Sequence, residues 1–221
     1  MQGSTDTEAL IVGGGPAGAL LAWLLASRGV DTVLVERQRD FAREFRGEVL
    51  MPSGQAMLRA AGLRLDEVPH VVPERVEMFL GGRRFLELQG DMAPEEAPMA
   101  VSQPALLEAL VAHASASACF RFERGVAARD LLREGERVVG ARIEGRDGSR
   151  EIRAALVVGA DGRASVVRRK QEHVVRDLGA PMDIVWMKLP WPAAWPPRQV
   201  AVHLGGGHLA IALPAAGDGS L

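Results

Sequence analysis

The sequence predicts an α/β fold, and three observations predict it. The first forty residues run through an apolar stretch, a glycine turn, an apolar helix pattern and a second apolar stretch. A strand-to-turn-to-helix pattern returns at 155–169. Between the two lie short strand-like segments, with only two further helix patterns. That order suits parallel strands joined by helices, with an antiparallel part beside them.

The elements follow in turn. Ala9–Val12 is a short apolar run bounded by glycine, as a buried parallel strand should be. Pro16–Arg28 is a helix: Pro16 sits in its first turn, where a missing N–H costs nothing, and Gly29 stops it. Leu20, Leu21, Trp23, Leu24 and Leu25 make it apolar nearly all round, so it should be sandwiched. Thr32–Val35 is a second buried strand. Arg37–Glu48 is polar and arginine-rich. Ser53–Ala61 is a helix ended by Gly62. Arg75–Leu80 and Arg83–Leu88 form a hairpin across Gly81-Gly82. Asp91–Ala100 is a proline-rich loop, and Pro104–Ala114 a helix with Leu106, Leu107, Leu110 and Val111 on one face. Strands are expected at Cys119–Phe122, Ala127–Arg133, Val138–Glu144 and Arg150–Val158, and Ser165 begins a short helix. After Lys170 the texture changes: Met182–Leu189 and Gln199–Leu213 read as strands around a proline-rich linker. A domain boundary is therefore placed near 170, with residues 1–170 as one domain and 171–221 as part of a second. The strand pair near 74–100 is expected to contribute to that second side.

Composition narrows the function classes. The chain has 221 residues, 48% hydrophobic, and a net charge of −2, which excludes a broad nucleic-acid-binding surface. Its longest apolar run, Ala19–Ala26, is far too short to span a membrane, and no basic segment precedes it as in a signal peptide. One cysteine, Cys119, excludes an internal disulfide and suits a reducing cytoplasm. Cys119 reads as a buried small hydrophobe and not as a nucleophile. Tyrosine is absent, which excludes any mechanism needing a phenol side chain from this chain. His203 and His208 lie five apart, which suits neither a strand face nor a helix face, so no metal site is expected. Trp186, Trp191 and Trp195 are candidates for a pocket wall or for packing.

The glycine turn is the main carrier of chemistry. Gly13-x-Gly15-x-x-Gly18 follows a strand and opens a helix through Pro16 and Ala17. Such glycines serve a tight turn, close approach of a pyrophosphate and close helix–strand packing. The helix N-terminus then offers N–H groups and a positive dipole end to the phosphates. Glu36 ends the second strand, where a carboxylate accepts hydrogen bonds from a ribose diol, and Arg37 follows it. The whole predicts a Rossmann-like dinucleotide site, for NAD(P) or FAD.

A second motif distinguishes these cofactors. Ala155–Val158 runs into Gly159-Ala160-Asp161-Gly162, then Ser165 and Arg168. With the N-terminal glycines and Glu36, this resembles the flavoprotein monooxygenases of the aromatic-hydroxylase type, the para-hydroxybenzoate hydroxylase-like family. The resemblance implies FAD, with Asp161 and Gly162 near the pyrophosphate. A plain turn capped by Ser165 is the competing reading. "EFRGEVL" places Arg46 where the family has an arginine near the flavin, against a solvated surface arginine. "VSQPALLEAL" places Gln103 at a helix start that contacts the flavin in the family, against plain capping by Ser102 or Gln103. The resemblance covers Glu8–Arg169 well and Met182–Leu213 loosely.

The resemblance implies an α/β flavoprotein: a Rossmann-like FAD-binding domain carrying a smaller, sheet-rich and truncated substrate domain. NAD(P)H would be co-substrate, with oxygen and a small aromatic or polyketide-like substrate as reactants. The implied product is hydroxylated or epoxidised. The sequence singles out no catalytic side chain. The family's third motif, a second Gly-Asp followed by a helix, is not matched by Gly217-Asp218, so a remaining C-terminal segment is an expected partner. Three alternatives stay open: a related flavin enzyme that reduces alkenes, a halogenase, for which "WMKLPWP" is a poor match, and a non-catalytic nucleotide-binding module. A short-chain dehydrogenase, which needs Tyr-x-x-x-Lys, is excluded.

Overall fold

The computed structural model describes residues 6–42, 48–89, 97–171, 175–176, 178–180 and 182–216. In chain order the strands and helices begin with β1 (Thr7–Val12), α1 (Pro16–Ala26), β2 (Thr32–Glu36), β3 (Val49–Leu50) and α2 (Pro52–Ala60). Next come β4 (His70–Val71), β5 (Arg75–Leu80), β6 (Arg83–Gln89), β7 (Met99–Val101) and α3 (Gln103–Ser115). The last are β8 (Phe120–Arg124), β9 (Ala127–Glu134), β10 (Arg137–Gly145), β11 (Gly148–Gly159), α4 (Val166–Lys170), β12 (Gln199–Gly205) and β13 (His208–Ala212).

The chain groups into two compact units, 1–43 with 107–181 and 44–106 with 182–221. The linear boundary expected near 170 differs from this grouping. The physical reason is long-range pairing: β12 lies parallel to β5 with Gln199 opposite Arg75, so 44–106 is tied to the C-terminal strands.

The first unit carries a six-stranded sheet in the order β8-β2-β1-β11-β10-β9. β8, β2, β1 and β11 run parallel; β10 and β9 are antiparallel. Apolar residues of five strands meet in one cluster, including Leu10, Val12, Val33, Val35, Leu131, Ile143 and Ile152. All five residues of β2 are buried, as the unbroken apolar run required. Helix α1 buries Ala19, Leu20, Ala22, Trp23 and Ala26, and Trp23 stacks on His113 of α3 with ring centroids 4.6 Å apart.

The second unit holds a four-stranded sheet, β13-β12-β5-β6, and a small one, β3-β7-β4. The hairpin turn falls at Gly81-Gly82, between β5 and β6. One face of the larger sheet carries Val76, Met78, Leu80, Leu86, Leu88, Val202, Leu204, Leu209 and Ile211, by strand alternation and register. Leu80, Leu88, Leu209 and Ile211 on that face are exposed.

Two expectations need correction. Met182–Leu189 forms no strand, and only Pro190 enters an isolated bridge. Strand propensity acts through pairing and packing, and no described strand pairs with this segment, which leaves Ile184 and Val185 exposed. The proline-rich loop is also shorter than expected: Met99–Val101 is buried strand β7, held between β3 and β4. The rest of that loop at 91–96 lies outside the described residues.

Candidate functional site

The glycine turn is built by close backbone approach. Gly13 has φ +107°, and a Cβ there would sit 2.5 Å from the Ala160 carbonyl oxygen. A Cβ on Gly18 would lie 1.9 Å from the Gly13 carbonyl oxygen. Neither position admits a side chain, so β1, α1 and the turn after β11 close on one another. Gly13 N–H donates to the Val35 carbonyl at 2.8 Å and Ala160 N–H to the Val12 carbonyl at 2.7 Å. These bonds gather the carboxyl ends of β1, β2 and β11, where ligands sit in open α/β sheets.

Gly15 is different. Nothing lies within 4 Å of a Cβ built there, and its φ of −72° suits any residue. It is the N-cap of α1, but no side chain caps the helix and no acid lies in its first turn. Pro16 and Ala17 are exposed beside it. Space, free backbone and the positive helix end thus coincide on an open surface, the arrangement that suits an anion.

Glu36 is 4% exposed and is held from both sides. Its Oε2 accepts from Gly14 N–H at 2.7 Å and its Oε1 from Gln38 N–H at 2.9 Å. A carboxylate oxygen can accept more than one hydrogen bond. A Cβ on Gly14 would lie 3.0 Å from Glu36 Cβ, so this residue, too, is pressed against the acid. Arg37 is exposed immediately after it.

Asp161 joins the same cluster: a Cβ on Gly13 would lie 2.7 Å from Asp161 Cα. Its Oδ2 accepts from Val166 N–H at 2.6 Å and Val167 N–H at 3.3 Å, and Ser165 Oγ accepts from Arg168 N–H at 3.0 Å. Capping of α4 is therefore real, and it accounts for half of the Asp161 carboxylate. The other half, Oδ1, is buried with no hydrogen-bond partner among the described residues. A buried acceptor of this kind is rare and calls for a donor. Gly162 follows, exposed, with open space around it.

The structure thus brings together Gly13, Gly15, Gly18, Glu36 and Asp161. Gln103 opens α3 half-buried, after Ser102, whose Oγ accepts from Ala105 N–H at 3.4 Å. Arg46 lies outside the described residues. Cys119 is half-buried just before β8, not fully buried as expected: its N–H donates to Ser117 Oγ at 3.2 Å and its carbonyl accepts from Thr32 N–H at 2.8 Å. Among the described residues no three His, Cys, Asp or Glu side chains gather as a metal cluster, and no helix is long and apolar enough to cross a membrane.

Sequence reasoning missed a groove of about 300 Å³ in the second unit, lined by Arg75, Glu77, Phe79, Trp195, Gln199 and His203, among others. His203, dismissed on its spacing from His208, stacks on Phe79 with centroids 4.5 Å apart. Phe79 lies 124 positions earlier in the chain, so no local signal shows the pair. Trp195 lines the groove; Trp191 meets it edge-on at 5.8 Å, and Trp186 is exposed. The hydrogen bond from Arg84 to Glu77 raises the Arg84 guanidinium above its ordinary value.

Known proteins resemble this chain over most of its length. Residues 6–208 match the model of a family described as FAD binding domain. Over 218 residues the chain is 34% identical to 6-methylpretetramide 4-monooxygenase of Streptomyces rimosus, covering 93% of this chain and 50% of that protein. It is 30% identical to digeranylgeranylglycerophospholipid reductase 1 of Methanopyrus kandleri, covering 74% of this chain and 42% of that one. Among solved structures, PqsL, a probable FAD-dependent monooxygenase from Pseudomonas aeruginosa, superposes with a TM-score of 0.74 at 25% identity, over 97% of this chain and 58% of its own. The chain thus spans about half the length of the relatives it matches.

Proposed function

Because the chain belongs to the FAD-binding-domain family, we propose that it serves an FAD-dependent monooxygenase. The enzyme would use NAD(P)H and oxygen to hydroxylate or epoxidise a small aromatic or polyketide-like substrate. The observation that carries this reading is the meeting of the glycine turn, Glu36 and the partnerless Asp161 Oδ1 at the carboxyl ends of three parallel strands. The residues present fit the AMP half of FAD and its pyrophosphate. The open space at Gly15 and the uncapped first turn of α1, with Pro16, Ala17 and Gly18, would hold the pyrophosphate. Glu36 would accept from the ribose diol, with Arg37 beside it. Asp161 Oδ1 would accept a hydroxyl or a water at the pyrophosphate, and Gly162 leaves room for it. Arg46 and Gln103 are assigned flavin contacts by the family resemblance. FAD bound there supplies the redox and oxygen chemistry, and the chain supplies position and exclusion of water.

Heat release and chromatography of the bound cofactor test this directly. FAD, with a flavin absorbance band on the native protein, is expected. Release of NADP without flavin would overturn the reading. The Methanopyrus kandleri relative supports a second reading, an FAD-dependent reductase of the same fold. Oxygen dependence separates the two, since only the monooxygenase consumes oxygen in step with product.

We place the rest of the flavin site in the part of the relatives outside the matched half. The apolar sheet face with exposed Leu80, Leu88, Leu209 and Ile211 supports that placement, since faces of this kind are normally covered. A chain extended to the relatives' length should bind FAD more tightly and couple NADPH consumption to product. Equal behaviour of the two chains would contradict this. The assignment to a cytoplasmic compartment rests on the single cysteine.

A further inference from the structure

The groove of the second unit has a polar end, an aromatic end and one unanswered hydrogen-bond acceptor. Strand alternation puts Arg75, Glu77 and Phe79 of β5 on one face, with Gln199, Ala201 and His203 opposite them on β12. Glu77 and Gln199 are 8% and 6% exposed. Glu77 Oε1 accepts from Arg84 Nη1 at 2.6 Å, and Glu77 Oε2 accepts from Gln199 Nε2. A carboxylate only accepts, so this bond fixes which way the Gln199 amide points. Gln199 Oε1 is left buried and without a partner among the described residues. Arg198, just before it, is the one non-glycine residue with positive φ (62°) among the described residues. Its backbone carbonyl accepts from Glu74 N–H at 2.9 Å and its Nε donates to the Val72 carbonyl at 3.0 Å. The strand thus enters the groove through a conformation that costs energy and is held in place, as binding sites often show.

We propose that Gln199 is the residue that selects the groove's ligand: a planar one- or two-ring aromatic carrying an O–H or N–H donor, which it gives to Gln199 Oε1 while its ring lies against the Phe79–His203 and Trp195 side chains. The groove, of about 300 Å³, has room for a ligand of that size. The ligand is not an anion, because the nearby cations are already engaged: Arg75 with Gln89 and Glu87, Arg84 with Glu77 and Glu87. Gln199 Oε1 is closed to solvent, so a ligand reaches it by moving a wall. Trp195 and Pro196 are the wall residues outside the strands, and Trp195 is therefore the side chain that moves. The ligand's binding to this face of the sheet is independent of the proposed function.

The test titrates 2-naphthol and 2-methoxynaphthalene into the 221-residue chain by calorimetry, while the Trp195 indole N–H is followed by NMR. The hydroxyl probe should bind about tenfold more tightly than its methyl ether and shift the Trp195 signal. Gln199→Met should abolish that preference while leaving the ether's affinity within about twofold. Equal binding of the two probes to the wild-type chain, binding of neither, or a preference that survives Gln199→Met would overturn the proposal. The wild-type comparison decides even where the variant does not fold. Flavin absorbance of the same samples reads the proposed function separately. A colourless chain that discriminates the probes counts against the flavin reading alone, and a yellow chain that does not discriminate counts against the role of Gln199 alone.

Discussion

At the glycine turn of the six-stranded sheet, the groups that meet are mostly backbone, and residues 13–36 of a single βαβ unit supply most of them. At the groove of the four-stranded sheet, the groups are side chains from two strands more than a hundred residues apart. The first site is fixed by what cannot be added: a Cβ at Gly13 or Gly18 collides with backbone. The second is fixed by what is paired: Arg84, Glu77 and Gln199 hold one another, and one oxygen is left over. A site of the first kind tolerates almost no substitution at its closing glycines. A site of the second kind can be retuned one side chain at a time.

That contrast predicts a graded series of effects. Gly18→Ala should be the most damaging, because its Cβ would lie 1.9 Å from the Gly13 carbonyl oxygen. Backbone cannot give way cheaply, so a loss of about 3 kcal/mol or more in unfolding free energy is expected in denaturant titration, together with loss of FAD binding. A stable, FAD-binding Gly18→Ala protein would show that the turn is not closed by this contact.

Glu36→Ala should come next. It strips the acceptor from the Gly14 and Gln38 N–H groups and removes the proposed ribose contact. FAD affinity should fall by about 1–3 kcal/mol, read by fluorescence titration. Unchanged affinity would reduce Glu36 to a purely structural brace of the turn.

Asp161→Ala is expected to act more mildly on the fold. Ser165 still caps α4, so the lost bonds to Val166 and Val167 should cost about 1 kcal/mol of stability. FAD binding should weaken beyond that, because the partnerless Oδ1 goes with the side chain. If stability falls and FAD affinity does not, Asp161 is a helix cap only.

The same contrast explains what the sequence makes legible. The βαβ unit is readable because Gly13, Gly15, Gly18 and Glu36 are near neighbours whose spacing states their job. The Gly81-Gly82 hairpin is readable for the same reason. The pairing of β5 with β12 is not, since nothing local to Arg75–Leu80 names a parallel partner at Gln199–Gly205. The strand expected at Met182–Leu189 fails on the same ground, because strand-forming residues without a ladder partner stay irregular. Asp161 is an intermediate case. Its place in the motif is visible in the sequence, but its division between capping α4 and an open oxygen appears only with the helix in place.

Gly15→Ala should have the smallest effect on the fold and tests the central claim most directly. A methyl group there meets no atom within 4 Å and needs no unusual φ, so only a bound ligand can be in its way. The account predicts unfolding free energy within about 0.5 kcal/mol of the parent chain and FAD affinity lower by about tenfold or more, measured on the same preparation. FAD affinity equal to that of the parent chain, at equal stability, would contradict the assignment of this turn as the pyrophosphate cradle.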